Sequence, residues 1–117
     1  MSSDLVAGLV ADHRRLEELF AEIETSPDPA ARRGPLDAAL KLLARHTAGE
    51  EEQLHPLLGA ELAAYEAAEH ARVAELVAGL DGNAEPLAVL LDTVRQHMQE
   101  EETELFPRLL PGENRRV

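Results

Sequence analysis

A chain of 117 residues with 11 basic and 23 acidic side chains, formal charge −12, is poorly suited to the phosphates of nucleic acid or to an anionic lipid surface. It has no cysteine, which excludes thiolate metal sites, disulfide frameworks and cysteine nucleophiles, and is compatible with a reducing cytosol. No stretch is apolar long enough to span a bilayer, and Met1-Ser2-Ser3-Asp4 lacks the basic region and apolar core of a secretory signal, so a cytoplasmic protein of one domain, residues 1–117, is expected.

Two Phe, one Tyr and no Trp leave the interior to Leu, Val and Ala, and Leu and Ala favour helices. A first helix is predicted over residues 3–25, capped by Ser3 or Asp4 and stopped by Ser26-Pro27-Asp28-Pro29; its apolar stripe is Val6, Leu9, His13, Leu16, Phe20 and Ile23. A second, residues 30–56, starts anywhere from Asp28 to Pro35 and carries Leu36, Ala39, Leu43, His46, Glu50, Leu54 and Leu57 on one face. After the break at Gly59, a third over residues 60–80 presents Leu62, Glu66, His70, Val73, Val77 and Leu80, and ends at Asp81-Gly82-Asn83. The fourth, residues 85–107, carries Leu87, Leu90, Val94, His97, Glu101 and Leu105 up to Pro107. No strand-like alternation competes, so the expected fold is all-α, an antiparallel up-down-up-down four-helix bundle. The tail from Pro111 to Val117 reads as an exposed end.

The second and fourth helices share a phrase. His46-Thr-Ala-Gly-Glu50-Glu51-Glu-Gln-Leu54-His-Pro56 recurs as His97-Met-Gln-Glu-Glu101-Glu102-Thr-Glu-Leu105-Phe-Pro107, at a constant offset of 51 (97 − 46, 101 − 50). Each copy sets a histidine and a glutamate four apart, one above the other on a helix face, which makes a chelating pair. The first and third helices add one mid-length histidine each. In an antiparallel bundle the mid-helix levels coincide, so His13, His46, Glu50, His70, His97 and Glu101 are expected to converge in the core.

Two carboxylates in an apolar interior would cost several kcal/mol each or take up protons, and a metal resolves the conflict. Imidazole nitrogen with carboxylate oxygen suits iron or zinc, with manganese a weaker fit, whereas magnesium and calcium prefer oxygen donors. Six donors exceed the needs of one tetrahedral zinc, which favours two ions bridged by Glu50 and Glu101.

This pattern of His in helix one, His-x-x-x-Glu in helix two, His in helix three and His-x-x-x-Glu in helix four resembles the hemerythrin-like family, the HHE cation-binding domain, from Asp12-His13-Arg-Arg-Leu16 to Leu105-Phe106-Pro107. The resemblance implies a hemerythrin-like bundle around two iron ions, bridged by carboxylates and an oxo or hydroxo group, that reacts with dioxygen, peroxide or nitric oxide, or senses iron. Oxygen carriers of the family place two histidines four apart in helix three, whereas Ala74 follows His70 here. Glu66, one turn before His70, is the candidate substitute; the alternative is a metal position open to solvent. An open position favours onward reaction over reversible carriage, so peroxide or oxygen reduction is the activity to test for. The other function to weigh is a sensing or storage module for metal or oxygen, without turnover, acting as a monomer or small homo-oligomer. Glu51, Glu52, Glu100 and Glu102 read as a solvated face, with an orienting role toward a ligand imidazole as the alternative for one of them. His55 reads as a packing or surface residue and not a ligand, and Tyr65 most simply as a packing residue, with a hydrogen bond near the site as the alternative.

Overall fold

The computed structural model describes residues 2–109, and the tail from Pro111 to Val117 lies outside them. Four long helices carry the chain: α1 (Ser2–Thr25), α2 (Pro29–Gly49), α3 (Ala60–Ala78) and α4 (Ala84–Glu100). Among the described residues there is no strand, and α1 packs on α2 and α4 while α3 packs on α4, giving the all-α four-helix bundle. No described helix is long and apolar enough to cross a membrane.

The boundaries follow local chemistry. Asp28 has extended backbone and its side chain accepts from the Ala31 N–H at 2.8 Å; Pro29 then occupies the first turn, where a missing N–H costs nothing. At the α3–α4 link Gly79 closes α3 and Gly82 takes a φ of +89°, a left-handed conformation in which glycine bears no Cβ penalty. The third helix therefore ends at Ala78, two residues short of the expected limit.

The second and fourth helices change winding inside the repeated phrase. From Glu50 to Leu54 and from Glu101 to Leu105 the chain makes a wider π turn, closed by N–H bonds from His55 to the Glu50 carbonyl and from Phe106 to the Glu101 carbonyl. Short 3₁₀ turns follow, His55–Leu57 and Phe106–Leu109. Each turn holds a proline, Pro56 or Pro107, whose ring would collide with the carbonyl four residues back in an α-helix, and widening the preceding turn relieves it. The extra residue delays the apolar stripe by one position. Leu57, expected inside, is half exposed, and Leu58 packs in its place.

Elsewhere the predicted stripes face inward. One apolar cluster joins Leu16, Phe20, Ile23, Ala39, Leu90 and Val94 along the bundle, and a second joins Val6, Leu9, Leu54, Leu105 and Phe106 toward one end. The polar residues of the stripes lie between the two.

Candidate metal centre

All seven side chains singled out in the sequence, the six expected donors and Glu66, are buried, Glu50 at 0% and Glu101 at 1% exposure. The donor atoms fall into two groups. His13, His46, Glu50 and Glu101 bring one atom each within 4.8 Å of one another, and so do Glu50, Glu66, His70, His97 and Glu101. Glu50 and Glu101 belong to both, the arrangement expected of carboxylates shared by two cations. Glu66 completes the second group, three positions having come from the repeated phrase and two from α3.

The contacts run around this pair of carboxylates. Glu101 lies 3.0 Å from His13 Nε2, 3.1 Å from His97 Nε2 and 3.9 Å from His46 Nε2. Glu50 lies 3.0 Å from His70 Nε2 and 3.3 Å from His46 Nε2. Glu66 approaches His97 Nε2 at 3.6 Å. All four rings turn Nε2 inward.

Their Nδ1 atoms face outward onto carboxylates. His13 Nδ1 donates to Glu102 at 2.7 Å, His46 Nδ1 to Asp12 at 2.9 Å and His70 Nδ1 to Glu51 at 3.1 Å, while Glu69 stands 3.5 Å from His97 Nδ1. A carboxylate that accepts the Nδ1 proton fixes the tautomer and leaves the Nε2 lone pair for the interior. Glu51 and Glu102 are thus orienting residues and not merely a solvated face, although both keep one side in water. Asp12 and Glu69 escaped sequence reasoning. Each immediately precedes a mid-helix histidine, but it serves the histidine of a neighbouring helix, a pairing that the linear sequence does not display.

The two halves of the bundle are built alike: α1 maps onto α3 at an offset of 57 (Asp12 to Glu69, His13 to His70) as α2 maps onto α4 at 51. Phe106 stacks on His13 with centroids 5.7 Å apart, and its counterpart His55 stacks on His70 at 5.2 Å, so His55 is a packing residue, as expected. Tyr65 takes the alternative role, half exposed and donating to Glu100 at 3.0 Å, and does not pack in the core.

Electrostatics separate these groups. Burial alone would lower the pKa of His46 and His97, but the surrounding carboxylates more than reverse this, Glu101, Glu50 and Asp12 raising His46 to about 10, and Glu101, Glu66 and Glu50 raising His97 to about 9. His70 is raised for the same reason by Glu50 and Glu51. Burial, with the charges of Glu101 and Glu50, raises Glu66 to about 7 against the pull of His97. Glu101 is also disfavoured by burial, yet His13, His46 and His97 hold it well below the usual carboxylate range.

A metal ion suits this donor set on the structure's own terms. Of the seven buried side-chain atoms without a hydrogen-bond partner among the described residues, five belong to the inward face of this donor set, His46 Nε2, Glu50 Oε2, Glu66 Oε1, His97 Nε2 and Glu101 Oε2, a costly condition in an apolar interior unless a cation engages them. All are nitrogen or carboxylate oxygen, the donors of iron, zinc and manganese sites.

The fold and the site together define a cation-binding helical bundle. The chain matches the model of the hemerythrin HHE cation binding domain over residues 4–109 and belongs to that family. No curated protein and no solved structure matches it.

Proposed function

We propose that the bundle holds two iron ions between Glu50 and Glu101 and reacts there with dioxygen, peroxide or nitric oxide. The observation that carries the reading is the sharing of those two carboxylates by two buried donor groups. Iron, when bound, supplies electrons and exchangeable coordination positions. The protein's part is to supply the donors, to orient them and to restrict access.

The two halves differ in a way that suits reaction. Leu9 occupies the α1 position equivalent to Glu66, so the His13 and His46 group has one donor fewer and meets the apolar cluster of Leu9, Leu105 and Phe106. A cation held there has fewer protein donors to displace.

Access differs too. A crevice of about 370 Å³ between α2 and α3 runs from Leu40 and Val77, past Ala44 and Ala74, to Glu51 and His70. The equivalent crevice between α1 and α4 is charged, for Arg95 and Glu17 stand where Ala44 and Ala74 stand in the other half, paired at 2.9 Å, with Arg95 lying 5.4 Å over Phe20. A neutral apolar molecule meets less polar surface on the α2–α3 side. Ala44 and Ala74 are exposed, so the double substitution A44R/A74E introduces the ion pair without burying charge. It is expected to slow the reaction of the reduced protein with dioxygen about tenfold, equivalent to ~1.4 kcal/mol of added barrier, at unchanged metal content, measured by stopped-flow absorption. An unchanged rate would remove the α2–α3 crevice as the route.

The reading itself is tested by loading with ferrous iron under anaerobic conditions, counting iron per chain, and following the near-ultraviolet absorption on adding dioxygen, peroxide or nitric oxide. Two irons per chain and a spectral response to at least one oxidant are expected. Two irons with no response to any of the three would leave a storage or sensing module instead.

A further inference from the structure

We propose that the crevice between α3 and the C-terminal end of α4 is the port through which divalent cations reach the centre, and that the carboxylates of Glu69 and Glu100 form a capture site at its mouth, with the buried, unpartnered Glu66 behind them. This rests on the cation-binding reading and is independent of the redox chemistry proposed above.

The crevice measures about 170 Å³, room for several water molecules, and is lined by Tyr65, Glu66, Glu100, Glu104 and Arg108 with Leu62 and Leu105. Its polar interior limit is Glu66, 3% exposed, whose Oε1 has no hydrogen-bond partner. Nearby, one atom each from Glu69, His97 and Glu100 lies within 4.8 Å of the others. The His97 ring is more than nine-tenths buried and its Nδ1 also lacks a hydrogen-bond partner, with Glu69 at 3.5 Å. The two nitrogens of one imidazole therefore face two places: Nδ1–H turns to the Glu69 carboxylate at the mouth, and Nε2 turns to the centre, where it stands 3.6 Å from Glu66 and 3.1 Å from Glu101.

The near-symmetry of the bundle supplies an internal control. In the first half the positions equivalent to Tyr65, Glu66 and Glu100 are Gly8, Leu9 and Gly49, which offer no carboxylate and no phenol. The phenol of Tyr65 donates to one oxygen of Glu100, restraining a side chain that would otherwise be free on the surface. Glu100 and Glu104 line the crevice with one cation, Arg108, and Glu69 stands beside Glu100, so the mouth remains negative, and the charge of −12 on the whole chain adds to the attraction. A hydrated divalent ion exchanges water readily for carboxylate oxygen. Glu100 and Glu69 would take it first, and Glu66, unpartnered and adjoining both regions, would receive it next.

The test is uptake kinetics of cobalt(II) by the full chain stripped of metal by chelation, with the visible absorption of cobalt reporting arrival at the centre. Tyr65 is the one tyrosine in a chain without tryptophan, so the tyrosine fluorescence comes from the crevice, and its change ahead of the cobalt absorption marks capture before arrival at the centre. In the native protein a change in Tyr65 emission should precede the cobalt absorption. Glu100→Gln should abolish that early phase and slow uptake about tenfold, the low end of what electrostatic capture contributes to on-rates, while reaching the native cobalt content. Glu52→Gln, which removes an exposed charge in the other half, should load at the native rate. Native kinetics in Glu100→Gln, equal slowing in Glu52→Gln, or a lower final content in Glu100→Gln would each overturn the port. Failure of the native protein to take up cobalt at all would overturn the metal centre beneath it.

Discussion

Glu101→Ala is expected to abolish binding of both cations, whereas Glu66→Ala should lose one and Glu102→Ala should lose neither at saturating metal. The grading follows from geometry. Glu101 has oxygens within 3.9 Å of three different imidazoles and belongs to both donor groups, so on the two-cation reading proposed above its removal would take a donor from each cation and the negative charge that would let them share a buried space. Glu66 belongs to one group only, so the His13 and His46 half should survive its loss. Glu102 reaches only the outer nitrogen of His13, and removing such an orienting partner typically weakens metal affinity ~10–100-fold without eliminating it. Metal analysis after exhaustive dialysis, with far-ultraviolet circular dichroism as a check on folding, measures all three. Equal metal content in the three variants would dismiss the assignment of residues to the site.

How much of this was legible beforehand depends on the reach of the signal. Helix positions and inward faces follow from the spacing of Leu, Val and Ala, and the site from four histidines in phase with two glutamates, because burial and chelation both act through a 3.6-residue period that a linear sequence displays. Glu66 was within reach for the same reason, one turn before His70. The π turns were not, although Pro56 and Pro107 stood at matching places in the two phrases: a proline near a helix end normally signals termination, and here the chain widens and continues instead. That one extra residue moved Leu57 to the surface. The outer carboxylates were obscured for a different reason. Asp12 and Glu69 lie beside the inward stripe and reach across to a histidine of the neighbouring helix, 34 and 28 positions away in the chain, and contacts between helices have no period in sequence. The port at Tyr65 and Glu100 was hidden likewise, since its meaning emerges only once Gly8 and Gly49 are seen to fill the matching places.

Removal of metal is expected to invert the pH dependence of stability. In the chelated protein, His46 and His97 have pKa values of about 10 and about 9 against an ordinary 6.5. The folded state binds these protons more tightly than the unfolded, so their contribution is complete below 6.5 and disappears as pH rises through 9 and 10. Glu66, raised to about 7 from 4.5, acts in the same direction, losing its contribution between those values. Glu101, held below 4.5, opposes: its contribution is present above 4.5 and lost in acid. The chelated protein should therefore be most stable between the ordinary carboxylate value of 4.5 and the ordinary imidazole value of 6.5, and weaken steadily above it. Metal ligation needs the same imidazoles and carboxylates free of protons, so stabilisation by metal grows over the range in which the chelated protein declines. A cation present at a hundredfold excess over its Kd contributes about 2.7 kcal/mol, roughly 10 °C in Tm for a chain of this size. Thermal unfolding of loaded and chelated protein from pH 5 to 9 should give Tm curves that separate progressively with rising pH. Parallel curves, with the chelated protein also gaining stability toward pH 8, would mean that the buried imidazoles are not held as cations by Glu50 and Glu101 when no metal is bound.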